Sequence, residues 1–279
     1  MSRSRRSFLA TMTFGRWVLV GIIFLLLFIA VFPSAFWGLD PNEIDATAIL
    51  ESPSGSHPLG TDEVGSDVLA RLLHATRLNL AISIGSVALA LLIAVPAGLL
   101  AGYVGKATDE VLSAFSNAIL AFPVVLFAIL LVASFGPSLP TLIGVLGFVF
   151  VPRFFQLVRG QTLSLREREF VTAAHVAGVN ESRVLSRHIL PNLLGPLAVM
   201  VPQLMAVALL AEAALSFLGL GVQPPGITWG TMLLNSKNYY AVAPWYAVTP
   251  GLVVTMVAAT MMFAGDFVAA AVNPTRRAT

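Results

Sequence analysis

VLSAFSNAILAFPVVLFAILLVASFGPSLPTLIGVLGFVFVP, residues Val111 to Pro152, holds no Asp, Glu, Lys or Arg. A membrane-spanning helix needs about 20 consecutive apolar residues. The run is therefore too long for one crossing and long enough for two. Gly136-Pro137-Ser138-Leu139-Pro140 divides it, because proline removes a backbone donor and restricts the residue before it. That predicts spans over about 113–135 and 140–158. Charges punctuate the rest in the same way. An uncharged stretch between Arg16 and Asp40 predicts a span over about 17–37, and one from Leu78 to Gly105 a span over about 80–103. After the basic stretch 159–191, two more are predicted over about 193–217 and 247–270. The expected fold class is all-α integral membrane, with about six transmembrane helices. Residues 17–279 form one transmembrane domain behind a short N-terminal segment, 1–16.

Composition agrees. The 279 residues are 57% hydrophobic and 11% charged, with mean hydropathy +0.86, against roughly a quarter charged in a soluble domain. So few charges cannot cover a water-facing surface, and six spans leave no room for a soluble enzyme domain. The absence of cysteine removes disulfides, thiolate catalysis and Cys-type metal sites. Gly102-Tyr103-Val104-Gly105-Lys106-Ala107 brushes against a phosphate-binding loop. It lacks the first glycine, the Ser/Thr and the preceding strand, so no nucleotide site is expected on this chain. His57, Asp62, Glu63 and Asp67 fit no metal-ligand spacing and read as turns and helix caps. No Ser/His/Asp arrangement stands out. The net charge of +2 reports which loops face the cytoplasm and does not point to nucleic acid.

Lysine and arginine bias sets the orientation. With the N-terminus inside, thirteen cationic residues lie on the inner side and only Arg71, Arg77 and Lys237 on the outer side. Six spans with both termini cytoplasmic give this split. Ser4-Arg5-Arg6-Ser7-Phe8-Leu9 resembles a twin-arginine export signal, but the apolar stretch after it is too long for a signal and is read as a retained first helix. Pro96, Pro123, Pro202 and Pro250 fall inside or at the ends of spans, as kinks in a packed bundle or around a pathway. Trp17, Trp37, Trp229, Trp245, Tyr239, Tyr240 and Tyr246 fall at expected membrane interfaces. Arg153 is read as snorkelling to the inner interface. Asp266 is read as structural near the inner end of span six. Glu212 lies near the outer end of span five, where a carboxylate is either a functional group or a structural one. The Gly- and Pro-rich outer loop 218–246, with Trp229 and Tyr240, is the candidate mouth of a pathway, or else a solvated connector.

The inner loop 165–191 carries the most information. Arg166-Glu167-Arg168-Glu169 is a dense charge cluster, and Phe170, Ala174 and Ala177 then recur at helical spacing with Ala173 beside them. Gly178 can end this short helix in a left-handed conformation, Asn180 can cap a second one, and Leu190-Pro191 leads into span five. A short helix lying across the cytoplasmic surface, with a ridge of small side chains, suits the cleft of another protein. It equally suits rest on lipid headgroups.

Residues 169–192, EFVTAAHVAGVNESRVLSRHILPN, resemble the EAA loop of bacterial ABC importer permeases. Ala173, Ala174, Gly178, Leu190 and Pro191 match at the right spacing, while Thr172 stands where that family has Glu and His188 where it generally has Ile. The ending His188-Ile189-Leu190-Pro191-Asn192 is similar to the peptide/nickel branch in particular. So is the outer segment from His57 to Leu69, except that Ser66 replaces the usual Arg. Ala211 to Gly221 followed by Gln223-Pro224-Pro225 and Trp229-Gly230 is similar as well, as is Gly265-Asp266 with Asn273-Pro274. The resemblance runs in order along nearly the whole chain.

The resemblance implies a function. The chain would be the second permease subunit of an inner-membrane importer for dipeptides or oligopeptides, or alternatively for nickel chelates. It would pair with a homologous permease. Two cytoplasmic subunits would bind ATP and Mg, so that no cofactor is held by this chain, and an extracytoplasmic binding protein would deliver cargo. Glu169, Phe170, Thr172, Ala173, Ala174, Gly178 and Pro191 would belong to the surface that couples to an ATPase. Glu212, Trp229 and Tyr240 would lie on the pathway or its outer gate. A different class, an ion-coupled secondary transporter using Glu212 or Asp266, predicts internal repeats that the sequence does not display.

Overall fold

The computed structural model describes residues 14–272, with side chains over 17–269. The arginine pair near the N-terminus, Arg276, Arg277 and the Asn273-Pro274 motif fall outside the described residues. Among the described residues ten α-helices follow one another: α1 (Phe14–Val31), α2 (Val68–Val104), α3 (Lys106–Leu120), α4 (Val124–Phe135), α5 (Leu139–Arg166), α6 (Glu169–Val176), α7 (Glu181–Val184), α8 (Leu190–Phe217), α9 (Trp229–Ser236) and α10 (Pro244–Val272).

Besides an α1 that ends at Val31 and an α5 that runs on to Arg166, the predicted spans differ from the structure in three ways. Helix α2 starts at Val68, well before residue 80, because Asp67 caps it: its carboxylate accepts from Ala70 N–H at 2.7 Å and from His57 Nδ1 at 2.8 Å. Asp62 holds this corner from within, accepting from Val64 N–H at 3.0 Å, from Ser66 N–H at 2.8 Å and from the Arg71 guanidinium. The carboxylates of this segment thus act as turns and caps. Second, the expected span 113–135 is two helices, α3 and α4, meeting at 89°. Pro123 sits at the break in an extended conformation, φ −57° and ψ 125°, with no N–H to continue the ladder. Third, α8 continues back through a π turn, Leu185–Ile189, to Glu181, so the expected start at 193 lies inside a 37-residue helical run.

Among the described residues, four helices are long and apolar enough to cross a membrane, and α3 with α4 makes a fifth if the bent pair is one span. The sixth expected crossing corresponds to α1, whose described apolar stretch, Trp17–Val31, is shorter than a span requires. The sequence count of six therefore stands at four to five full spans plus this shorter helix.

Helices α2 and α5 form the centre. A Cβ added at Gly98 would lie 2.8 Å from the Val158 side chain and 3.0 Å from the Phe155 carbonyl, and one at Gly102 would lie 2.8 Å from the Arg159 carbonyl. On α5, Gly147 admits Leu89 in the same way. Lipid offers no hydrophobic drive for helix association, and missing side chains let backbones approach closely enough for dispersion to hold them. Around this pair lies an apolar core including Phe150, Phe154, Leu142 and Leu193. A second cluster, built on Trp229, Tyr246 and Met232, joins α9 and α10 to α8 and to the start of α2.

Candidate coupling surface and buried polar cluster

One end of the bundle carries α6. Its close is a Schellman motif: Val179 N–H reaches the Ala174 carbonyl at 3.0 Å, Gly178 N–H reaches that of His175 at 2.9 Å, and Gly178 takes φ +74°. Asn180 then caps α7 by accepting from Ser182 N–H at 3.0 Å. These local signals were legible in the sequence. Helix α6 is fixed to the bundle on one side. Val171 and Ala174 are buried, and His175 Nε2 pairs with the Tyr103 hydroxyl at 2.9 Å, at the end of α2. Arg166 Nη1 donates to the Gly102 carbonyl at 3.1 Å, closing the corner between α2 and α5. Nearby, Arg159 and Asp109 form a two-pronged ion pair that ties α3 to α5.

The other side of α6 is bare. Phe170, Thr172, Ala173, Ala177 and Gly178 are exposed, and Val176 is 85% exposed. Of the expected coupling residues, Glu169, Phe170, Thr172, Ala173 and Gly178 thus share an accessible surface, and Pro191 is exposed at the start of α8. Ala174 does not: it faces the bundle, since a helix only two turns long has room for one packed stripe. Val176 was missed, although its position three residues after Ala173 on the same face was readable from the helical period. The His188 ring lies 6.5 Å from that of Phe170, bringing the π turn against the start of α6.

At the opposite end, Glu212 is fully buried and accepts a 2.6 Å hydrogen bond from Ser216, one turn later in α8. Ser216 lies 3.4 Å from the Thr228 hydroxyl, which caps α9. Gly230 packs so closely that an added Cβ would sit 2.6 Å from the Ser216 side chain. Trp229 is also fully buried, its indole donating to the Leu72 carbonyl at 3.0 Å. Glu212 and Trp229 therefore offer no contact surface on this chain, contrary to the expected pathway or gate role. They fasten α9 onto α8 and α2, because a short helix with no lipid-spanning length must be held by tertiary contacts. Tyr246 is likewise buried, so it and Trp229 leave the expected interfacial belt. Tyr240 stays exposed, at 68%, with Val242 beside it. Asp266 is exposed and has no ion pair among the described residues. No cluster of three or more metal-type ligands occurs among the described residues.

The comparisons with known proteins give a family. Residues 94–278, two thirds of the chain and including α6, match the model of the binding-protein-dependent transport system inner membrane component. This chain belongs to that family. As a member of it, the chain is a multi-pass membrane protein of a transport system. The dipeptide transport system permease protein DppC of Alkalihalophilus pseudofirmus is 38% identical to this chain over 92% of its length and 85% of the relative's. The glutathione transport system permease protein GsiD of Pectobacterium atrosepticum is 35% identical over 90% of this chain and 85% of the relative. The oligopeptide transport system permease protein OppC of Haemophilus influenzae is 34% identical over 93% and 84%. Among solved structures, an inward-facing MetNI methionine ABC transporter shares the fold at TM-score 0.59 and 17% identity, over 73% of this chain and 96% of the other.

Proposed function

We propose that this chain is one permease subunit of an ATP-driven importer that moves di- or oligopeptides inward across the cytoplasmic membrane. The observation that carries the reading is α6: a short helix that buries Val171 and Ala174 and is tied through His175 to Tyr103 at the end of α2 on one face, and is bare on the other. Such a helix suits the groove of an ATPase subunit and passes the movement of that subunit to the bundle. The names of the relatives, all peptide-type permeases, support the substrate class. Two ATPase subunits hold ATP and Mg, a homologous permease completes the transmembrane assembly, and a binding protein delivers the peptide. In this reading α6 and both termini face the cytoplasm, in accord with the lysine and arginine bias. The opposite end, with Tyr240 and Val242 exposed, receives the binding protein. The chain supplies no catalytic group of its own.

The test is reconstitution. This chain and its partners, assembled in liposomes with the binding protein, should take up a labelled dipeptide only when ATP is enclosed on the α6 side. Uptake driven by a proton or sodium gradient without ATP would refute the reading.

A further inference from the structure

Helix α5 has two faces of opposite character. Phe155, Val158 and Thr162 are buried, and Val158 and Thr162 close on the glycines of α2. On the far side Arg153, Gln156, Gly160 and Ser164 are all exposed. Their spacing of three, four and four residues places them in one line along the helix. The line is polar or small throughout, within a helix that is otherwise long and apolar enough to span a membrane. Gln156 Nε2 donates to the side-chain Oδ1 of Asn117 on α3 at 3.4 Å, so a second helix adds a polar group to the same surface. Leu157, one turn from Arg153, lines a cavity of about 450 Å³ between α5, α8 and α10 that also holds Gln203.

Arg153 is the telling member. It stands six residues before Arg159, about 9 Å of helix rise deeper into the span. Arg159 is matched by Asp109, whereas Arg153 has no ion pair or hydrogen bond among the described residues. A cation at such depth costs several kcal/mol against lipid, and in membrane proteins it faces water or a partner of opposite charge. Simple snorkelling would leave the polar line on Gln156 and Gly160 unexplained.

We infer that the Arg153, Gln156, Gly160 and Ser164 face of α5, with Asn117, lines the water-filled path for the substrate, and that the Arg153 guanidinium engages the C-terminal carboxylate of the passing peptide. The inference rests on the peptide-importer reading above. A free peptide carries one obligatory carboxylate whatever its side chains, so a single fixed cation serves a whole class of sequences. Gly160 and Ser164 leave width for variable side chains.

Two measurements on the complete transporter test this. The chain lacks cysteine, so single cysteines report cleanly. In the assembled complex, cysteines at 156, 160 and 164 should react with a membrane-impermeant charged thiol reagent. Cysteines at the exposed apolar positions Leu126 and Leu130 of α4 should stay inert. An inert 156–164 line would overturn the pathway assignment, whether or not peptide uptake is seen. Second, uptake of alanyl-alanine is compared with that of its C-terminal amide. Arg153→Gln should lower the acid-to-amide uptake ratio by about tenfold or more, the worth of a hydrogen bond to a charged group, and Arg153→Lys should restore part of it. An unchanged ratio alongside a reactive line would mean that a partner-subunit carboxylate neutralises Arg153, overturning the substrate contact. Failure of the unmodified complex to import either probe would instead count against the peptide reading.

Discussion

The Trp229 indole N–H donates to the backbone carbonyl of Leu72 at 3.0 Å, across 157 residues of chain. This bond and the burial of the ring fix α9 against the first turns of α2, so the end of the molecule opposite α6 is held by an aromatic side chain rather than by a loop. Trp229→Phe keeps most of the packing and removes the donor, and should cost about 1 kcal/mol. Trp229→Ala leaves a cavity and should cost about 3–5 kcal/mol. Thermal unfolding of the detergent-solubilised protein measures both. Equal, negligible losses would show that α9 is held elsewhere.

The two faces of α6 should respond differently to the same kind of substitution. Val176→Glu alters a side chain that is 85% exposed, so the chain should insert and assemble its fold normally. In the complex proposed above the added charge would meet the ATPase groove, and uptake should fall at least about tenfold while ATP hydrolysis loses its response to the binding protein. Ala174→Glu places a carboxylate in the packed stripe beside Val171 and should destabilise the fold itself. Paired uptake and melting measurements separate the outcomes. Full transport by Val176→Glu would remove α6 from the coupling route.

The glycine contacts between α2 and α5 predict a cost with no chemistry attached. Gly98→Ala would bring a methyl within 2.8 Å of the Val158 side chain and 3.0 Å of the Phe155 carbonyl, so the helices must part. About 1–3 kcal/mol is expected from such overpacking. Gly160→Ala, where an added Cβ would meet no atom beyond its own stretch of helix within 4 Å, is the matched control and should be neutral to stability in the isolated chain. A melting-temperature drop for Gly98→Ala no larger than for Gly160→Ala would show that the interface is looser than the structure has it.

What the sequence revealed depended on how local the cause was. Gly178 and Asn180 announced the ends of α6 and the start of α7 because a left-handed residue and a side-chain cap act within four residues. The apolar runs announced the spans for a similar reason, each being an average over its own residues. Pro123 did not announce the 89° break. Pro96, Pro152, Pro196, Pro202 and Pro250 all sit inside continuous helices, so proline alone does not distinguish a kink from a corner. Trp229 was misplaced at an interface, and Glu212 was left between a functional and a structural role, for the complementary reason. An aromatic or a carboxylate near a span end looks the same whether it meets water or lies under another helix, and here α9 covers Glu212 while its own Trp229 is buried against the start of α2. Ala174 was placed on the wrong side because the alanine pair marks a small-residue helix without saying which alanine meets the bundle.

The close seam between α2 and α5 has a mechanical consequence. Where glycine lets backbone touch backbone, there are few flexible side chains between the helices to absorb a displacement, and the pair behaves as a single stiff beam. Helix α6 follows α5 directly after Glu167 and Arg168, and its His175 ties it to Tyr103 at the end of α2, while Arg166 of α5 bonds to Gly102 of α2 and locks the two members together. A force on α6 is therefore delivered to the beam as a whole, with little slack at its root, and emerges as tilt at the far end. The regular hydrogen-bond ladder is interrupted at the corner at Pro123 and at the π turn before Leu190, the places where a stiff frame would take its joints.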